Sequence, residues 1–273
     1  MEATGSRMLM RHIRPLLGKE FLDLARNKTT LIPVAIVTVL SLALPFGIAI
    51  AIPAMTGHAL GEDADLVRVS HIASAAASLS DDGRIQLFLF QQFLMMFLIT
   101  PVTGAMALAS HAIVGEKQAR TLEPLLATPL GTFELLTAKV VGALLPTMTI
   151  SGIGLALYLG GIAIFAAPGV GSAMASARTF LLVALVAPAS ALVSLQAAIL
   201  ISSRVNDART AQQFGALIII PLAGLMVAQF SGSLWLSPAA LALIGLGLLI
   251  VWLLLSLVSV ALFDRETILT RWR

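Results

Sequence analysis

The chain has 273 residues, no cysteine and a formal net charge of +3; 58% of it is apolar and only 11% charged, with a mean hydropathy of +0.97. Soluble domains carry about 25% charged and about 45–50% apolar residues, so this balance excludes an ordinary soluble domain and calls for runs that each cross a hydrocarbon core of ~30 Å. The absence of cysteine excludes disulfides, thiolate nucleophiles and Cys-ligated metals. Lys and Arg fall in short patches between apolar runs, which is no footprint for nucleic acid.

The N-terminal segment, residues 1–30, is a charged leader. No short hydrophobic region with a small-residue cleavage site precedes the first apolar run, so no cleavable signal peptide is expected. Leu9, Ile13, Leu16, Leu17, Phe21 and Leu24 recur at three- and four-residue spacing, while Arg7, Arg11, Arg14 and Lys19 fall mostly elsewhere. This pattern predicts an amphipathic helix at the membrane surface, its basic residues turned to anionic lipid or a partner. A disordered basic arm would explain the charges but not the apolar spacing.

Six apolar runs follow, at residues 31–54, 87–110, 140–167, 179–201, 214–230 and 238–263. At 1.5 Å of rise per residue, about 20 residues suffice for one crossing. The fifth run, bounded by Gln213 and Ser231, is the shortest and is compatible with an untilted span or a partly re-entrant segment. The expected fold class is therefore all-α: a polytopic bundle of six transmembrane helices. Prolines 45, 53, 101, 146, 188 and 221 lie within the runs and predict kinks, which suit both moving helices and statically bent ones.

Charge sets the orientation. Fourteen of the 17 basic residues lie in the leader, in the loops after the second and fourth runs, and in the tail at 264–273. The opposite side has only Arg68, Arg84 and Arg178, and its first loop carries Glu62, Asp63, Asp65, Asp81 and Asp82. The positive-inside rule then places both termini in the cytoplasm, which requires an even number of spans.

Catalytic motifs are missing. The sequence has no Walker A pattern, no H-E-x-x-H, no G-x-S-x-G and no pair of carboxylates inside a run. His58 and His71 share a loop with Glu62, Asp63 and Asp65, but their spacing favours a solvated acidic loop over a metal site. Inside the runs the sequence reading finds no ionisable group, which argues against an ion-coupled secondary transporter. Its polar groups there are Gln91, Gln92, Thr100, Thr103, Gln196 and several serines. Gln91, Gln92 and Gln196 are candidates for lining a pathway, the alternative being hydrogen bonds between helices of one bundle.

The loop after the second run, Gly115 to Lys139, reads GEKQARTLEPLLATPLGTFELLTAK. Thr121 can cap a short helix with Glu123 and Pro124 in its first turn, and Leu122, Leu125 and Leu126 give that helix an apolar face. Pro129 and Gly131 mark a turn, after which Thr132 can cap a second helix that carries Glu134 and runs through Lys139 into the third run. Caps, apolar knobs and balanced charges describe a docking element; a self-packing surface connector is the plainer alternative.

Glu116-Lys117, Thr121-Leu122-Glu123, Leu125-Leu126, Thr128-Pro129-Leu130, Glu134 and Lys139 together resemble the signature of the ABC type-2 exporter permeases, and stand in the same place between the second and third of six spans. Lys19-Glu20-Phe21 and Arg26-Asn27-Lys28 resemble a second pattern of that family in its N-terminal interface helix. Arg120 stands where the family usually has glycine, and Gln118 replaces a frequent acid.

The resemblance implies a permease subunit of a multi-pass protein of the prokaryotic inner (plasma) membrane. It would have no catalytic residue, no cofactor and no metal of its own. ATP and Mg would be held by a separate ABC ATPase subunit, which would dock the 115–139 loop and the interface helix. A second permease subunit, identical or not, would complete the pathway. The competing classes are a stand-alone secondary transporter or channel, and a membrane-embedded enzyme such as a lipid transferase. The first predicts midplane charges or an internal repeat, the second an interfacial cluster of acids, histidines or a metal motif.

Overall fold

The computed structural model describes residues 28–70, 79–118, 132–204, 210, 213, 219–231 and 235–262. The described residues are almost entirely helical and contain no strand. The interface-helix residues Arg11, Arg14, Lys19, Glu20, Phe21 and Arg26 lie outside them, as do Thr121, Leu122, Glu123, Leu125, Leu126, Thr128 and Pro129 of the signature loop.

The first span is built from α1 (Lys28–Phe46), a π-helical turn at Gly47–Ala51 and α2 (Ile52–Thr56). The wide turn has a cause in the sequence. Pro53 has no N–H to give the carbonyl of Ala49, and its ring crowds that carbonyl. The helix relaxes by one i→i+5 step, with Ile52 N–H on Gly47 O. The same device recurs before Pro188, where Leu182–Val186 is π-helical and Ala187 N–H reaches Leu182 O. Gly57 stops the first span in the left-handed region (φ 72°), its N–H donating to Pro53 O at 3.0 Å.

A short helix α3 (Ala64–Ser70) precedes the second span, which comprises α4 (Asp81–Phe93) and α5 (Met96–Gln118). Ser80 caps α4 by accepting from Gly83 N–H, and Asp81 and Asp82 in its first turn complement the helix dipole. The span thus begins at Asp81, six residues before the expected start, because its charged first turn hides it from a hydropathy window. The helix tightens at Leu94–Met95, where Phe97 and Leu98 N–H bond three residues back.

The third span belongs to α6 (Thr132–Phe165), a continuous helix of 34 residues. At ~1.5 Å per residue it is about 50 Å long, more than a hydrocarbon core requires. Gly169 (φ 88°) leads into α7 (Val170–Met174), whose Val170 and Met174 are buried. The fourth span starts with α8 (Ala177–Leu181), capped by Ser176, and continues through the π turn into α9 (Ala187–Arg204). Next come α10 (Ile219–Phe230) and the last span, α11 (Pro238–Leu262).

Five of these units are long and apolar enough to cross a membrane: Ile32–Thr56, Asp81–Ala109, Lys139–Phe165, Ala177–Ser202 and Pro238–Val260. The fifth expected run is represented by a shorter apolar helix, Ile220–Gln229. Residues 214–218, which would lengthen it, lie outside the described set.

The second span is the axis of the bundle and the most buried of the five, with α5 packed against α9, α6 and α1. Its two halves pack differently. Near the acidic end, where Asp81 and Asp82 lie, the core is aromatic, with Phe88, Phe90, Phe93, Phe97 and Tyr158 buried. Toward the other end Ala105, Ala109, Ala143, Ala191 and Ala198 are nearly or wholly inaccessible. Small residues let helix backbones approach closely where lipid offers no hydrophobic drive to associate. Gln86 ties three segments together at the acidic end: its Oε1 accepts from Ala167 N–H at 2.7 Å, and its Nε2 lies 3.4 Å from Ala49 O. That carbonyl is the one Pro53 cannot serve.

The outward faces are apolar. Ile164, Phe180, Val227, Leu243 and Leu257 are each more than 60% exposed, a surface that suits hydrocarbon and not water.

Candidate functional site

Two regions are candidates for a functional site: the base of the 115–139 loop, and a polar cluster buried near the acidic end.

At the loop, α5 continues past the end of its span at Ala109 to Gln118, and α6 begins at Thr132, ahead of its span at Lys139. The loop therefore hangs between two helical extensions, about 13 Å and about 10 Å long at 1.5 Å per residue. Glu116 and Lys117 lie in the last turn of α5, Glu134 in the first turn of α6, and Lys139 is buried two turns into α6.

The buried cluster contains residues that the sequence reading did not single out. Arg178, in α8, is 7% exposed. Its Nη1 donates to Gln91 Oε1 at 2.9 Å and its Nη2 to Gln229 Oε1 at 3.3 Å. Its guanidinium carbon lies 3.8 Å from the centroid of the Trp235 ring, which stacks in turn on Phe88 at 6.2 Å. Gln92 Nε2 donates to the main-chain carbonyl of Gln229 at 3.1 Å. Side chains from α4, α8, α10 and the segment before α11 thus meet at one point.

This corrects one expectation. The sequence reading put Arg178 in a loop and found no ionisable group within the runs, whereas Arg178 lies inside the helix of the fourth span and points into the bundle. The reason is that Ser176 caps the helix early, so that Arg178 falls in its first turn beside partners 87 and 51 residues away in sequence. The available signal was a lone arginine immediately before an apolar run, together with a glutamine, Gln229, inside the short fifth run.

The energetics of the cluster are demanding. Arginine keeps its charge in a protein interior, and the effective cost of burying an ion is several kcal/mol. Here two carboxamide oxygens and an indole face compensate; a cation over an aromatic face contributes about 0.5–2 kcal/mol. No carboxylate pairs with Arg178 among the described residues. Gln92 Oε1 and Gln229 Nε2 are buried with no hydrogen-bond partner.

Of the candidate pathway residues, Gln91 and Gln92 are buried in these interhelical hydrogen bonds, and Gln196 is buried on α9. Thr103 bonds back to its own helix through Ile99 O at 2.8 Å. On the acidic loop His58 Nδ1 contacts Glu62 Oε2 at 3.0 Å, with both side chains exposed, and the described residues contain no group of three potential metal ligands. His71 lies outside the described set.

The family profile described as "ABC-2 family transporter protein" matches residues 14–234, most of the chain, including the 115–139 loop and the Arg178 cluster up to Gln229. The chain belongs to the ABC-2 transporter family. No curated protein matches it. As an ABC-2 transporter protein it is a multi-pass membrane component of a transport system. The match begins at Arg14, within the basic leader, and ends just before Trp235, so that α11 lies beyond it.

Proposed function

We propose that the chain is the transmembrane permease subunit of an ATP-driven ABC exporter, with six spans and both termini in the cytoplasm of a prokaryotic cell. A separate ABC ATPase holds ATP and Mg and docks the 115–139 loop and the N-terminal interface helix. ATP-driven closure of the ATPase pair moves these elements and alters the opening between two permease subunits.

The observation that carries this reading is the family match across the loop. The two helical extensions support it as well, since they offer a stiff route from the loop into the bundle. A helix transmits a push along its axis, whereas a flexible connector would absorb it. Through α5 such a push reaches the tightened turn at Leu94–Met95, and through α6 it reaches Tyr158.

Affinity purification of the tagged chain from its native membrane tests the proposal. The expected result is co-elution of a P-loop ATPase in a fixed ratio. Recovery of the intact chain without any ATPase, across several mild detergents, would overturn it.

A further inference from the structure

The Arg178 cluster is unusual in being incomplete. A buried guanidinium has five N–H groups. Two are used on Gln91 and Gln229, and the rest have no protein partner among the described residues. The carboxamide of Gln229 gives its oxygen to Arg178, which leaves the Nε2 donor of the same group buried and unpaired. The neighbouring carboxamide of Gln92, bonded to the Gln229 main chain, has an unpaired buried acceptor, Oε1. Gln92 and Gln229 are each only 1% exposed, so water at the protein surface does not satisfy these atoms.

We propose that this cluster is a binding site for an oxyanion that also carries a hydroxyl, of the phosphate type. Anionic oxygens accept from the free Arg178 N–H groups and Gln229 Nε2–H, and supply the countercharge that no carboxylate provides. A planar guanidinium suits two oxygens of one phosphate in a bidentate pair. The hydroxyl donates to Gln92 Oε1. A halide could take the charge but offers no donor to Gln92. Trp235 lies against the Arg178 guanidinium and is partly exposed.

Hydrogenphosphate and the phosphoglycerol headgroup of a lipid share this chemistry. The inference goes beyond the permease reading, because the site binds its anion whether or not an ATPase is attached.

The test uses Trp235 as its reporter. The chain has three tryptophans, Trp235, Trp252 and Trp272; changing the last two to Phe leaves one indole in contact with the site. The full-length protein, with any subunit that co-purifies, is titrated with inorganic phosphate at constant ionic strength. In a second arm it is compared in nanodiscs of phosphatidylglycerol and of phosphatidylcholine. Saturable change of Trp235 emission is expected in at least one arm: with phosphate for a soluble oxyanion, or with phosphatidylglycerol alone for a headgroup.

Gln229→Glu places a carboxylate against Arg178 as an internal competitor. It should abolish the response while keeping or raising the melting temperature. Arg178→Lys should weaken binding at least tenfold. The proposal is overturned if neither arm responds, if chloride produces the same change, or if Gln229→Glu binds like the parent. ATPase recovery is scored on the same samples, so that loss of the permease reading and loss of the anion site are told apart.

Discussion

Tyr158 Oη donates to the main-chain carbonyl of Phe90 at 2.7 Å. Tyr158 is the only tyrosine of the chain and is fully buried. The carbonyl it reaches also accepts from Leu94 N–H at 3.0 Å, at the last turn before the second span tightens. Its ring packs on Phe90 on one side of that turn (5.9 Å) and on Phe97 on the other (4.9 Å). One side chain of the third span therefore braces the irregular turn of the second.

Removing only the hydroxyl should cost little, since Leu94 still serves the carbonyl. Tyr158→Phe is expected to lower stability by about 0.5–1 kcal/mol, and Tyr158→Ala, which empties the aromatic core, by about 3–5 kcal/mol. Thermal unfolding in detergent measures both. Equal losses for the two variants would show that the hydrogen bond, and not the ring, carries the contact.

The adjacent glycines Gly160 and Gly161 face different neighbours, and alanine should separate them. A Cβ on Gly161 would lie 2.6 Å from Phe46 Cζ. That ring cannot easily retreat, being held by Phe90 at 5.3 Å and Tyr158 at 5.8 Å. Gly161→Ala should therefore destabilise by about 1–3 kcal/mol. A Cβ on Gly160 meets nothing within 4 Å, so Gly160→Ala should be neutral, or stabilising by up to about 1 kcal/mol through helix propensity. The melting temperatures of the two variants, side by side, check the contact between the first and third spans.

Glu123 lies in the loop between α5 and α6, outside the described residues. Under the proposed function its charge belongs to the docking surface. Glu123→Lys should cut the ATPase recovered with the chain at least tenfold and abolish transport, while expression and membrane insertion stay at the parental level. Quantitative recovery from native membranes gives the first number and protease protection of the tail the second. Unchanged assembly and transport would remove the loop from the coupling route.

Much of the architecture was legible because the bilayer imposes a length and a polarity on each span. The apolar runs at 31–54, 140–167 and 238–263 correspond to helices at Ile32–Thr56, Lys139–Phe165 and Pro238–Val260. Starts were less legible where a cap and a charged first turn open the helix, as at Ser80 with Asp81 and Asp82, and at Ser176 with Arg178. Hydropathy averages such residues into the loop, although their backbone is already helical. In the signature loop the expected second helix is found, beginning at Thr132 and running on into the third span, whereas the residues before it lie outside the described set.

By itself the sequence determined an all-helical membrane protein, which follows from composition and local spacing, and it offered one loop, 115–139, whose residues resemble a family signature. The tertiary structure alone decided the fate of Arg178. A hydropathy profile treats an arginine beside an apolar run as a boundary, because an isolated charge is costly in hydrocarbon. Gln91, Gln229 and Trp235, brought from three other parts of the chain, make the interior polar at that one point and keep the charge inside.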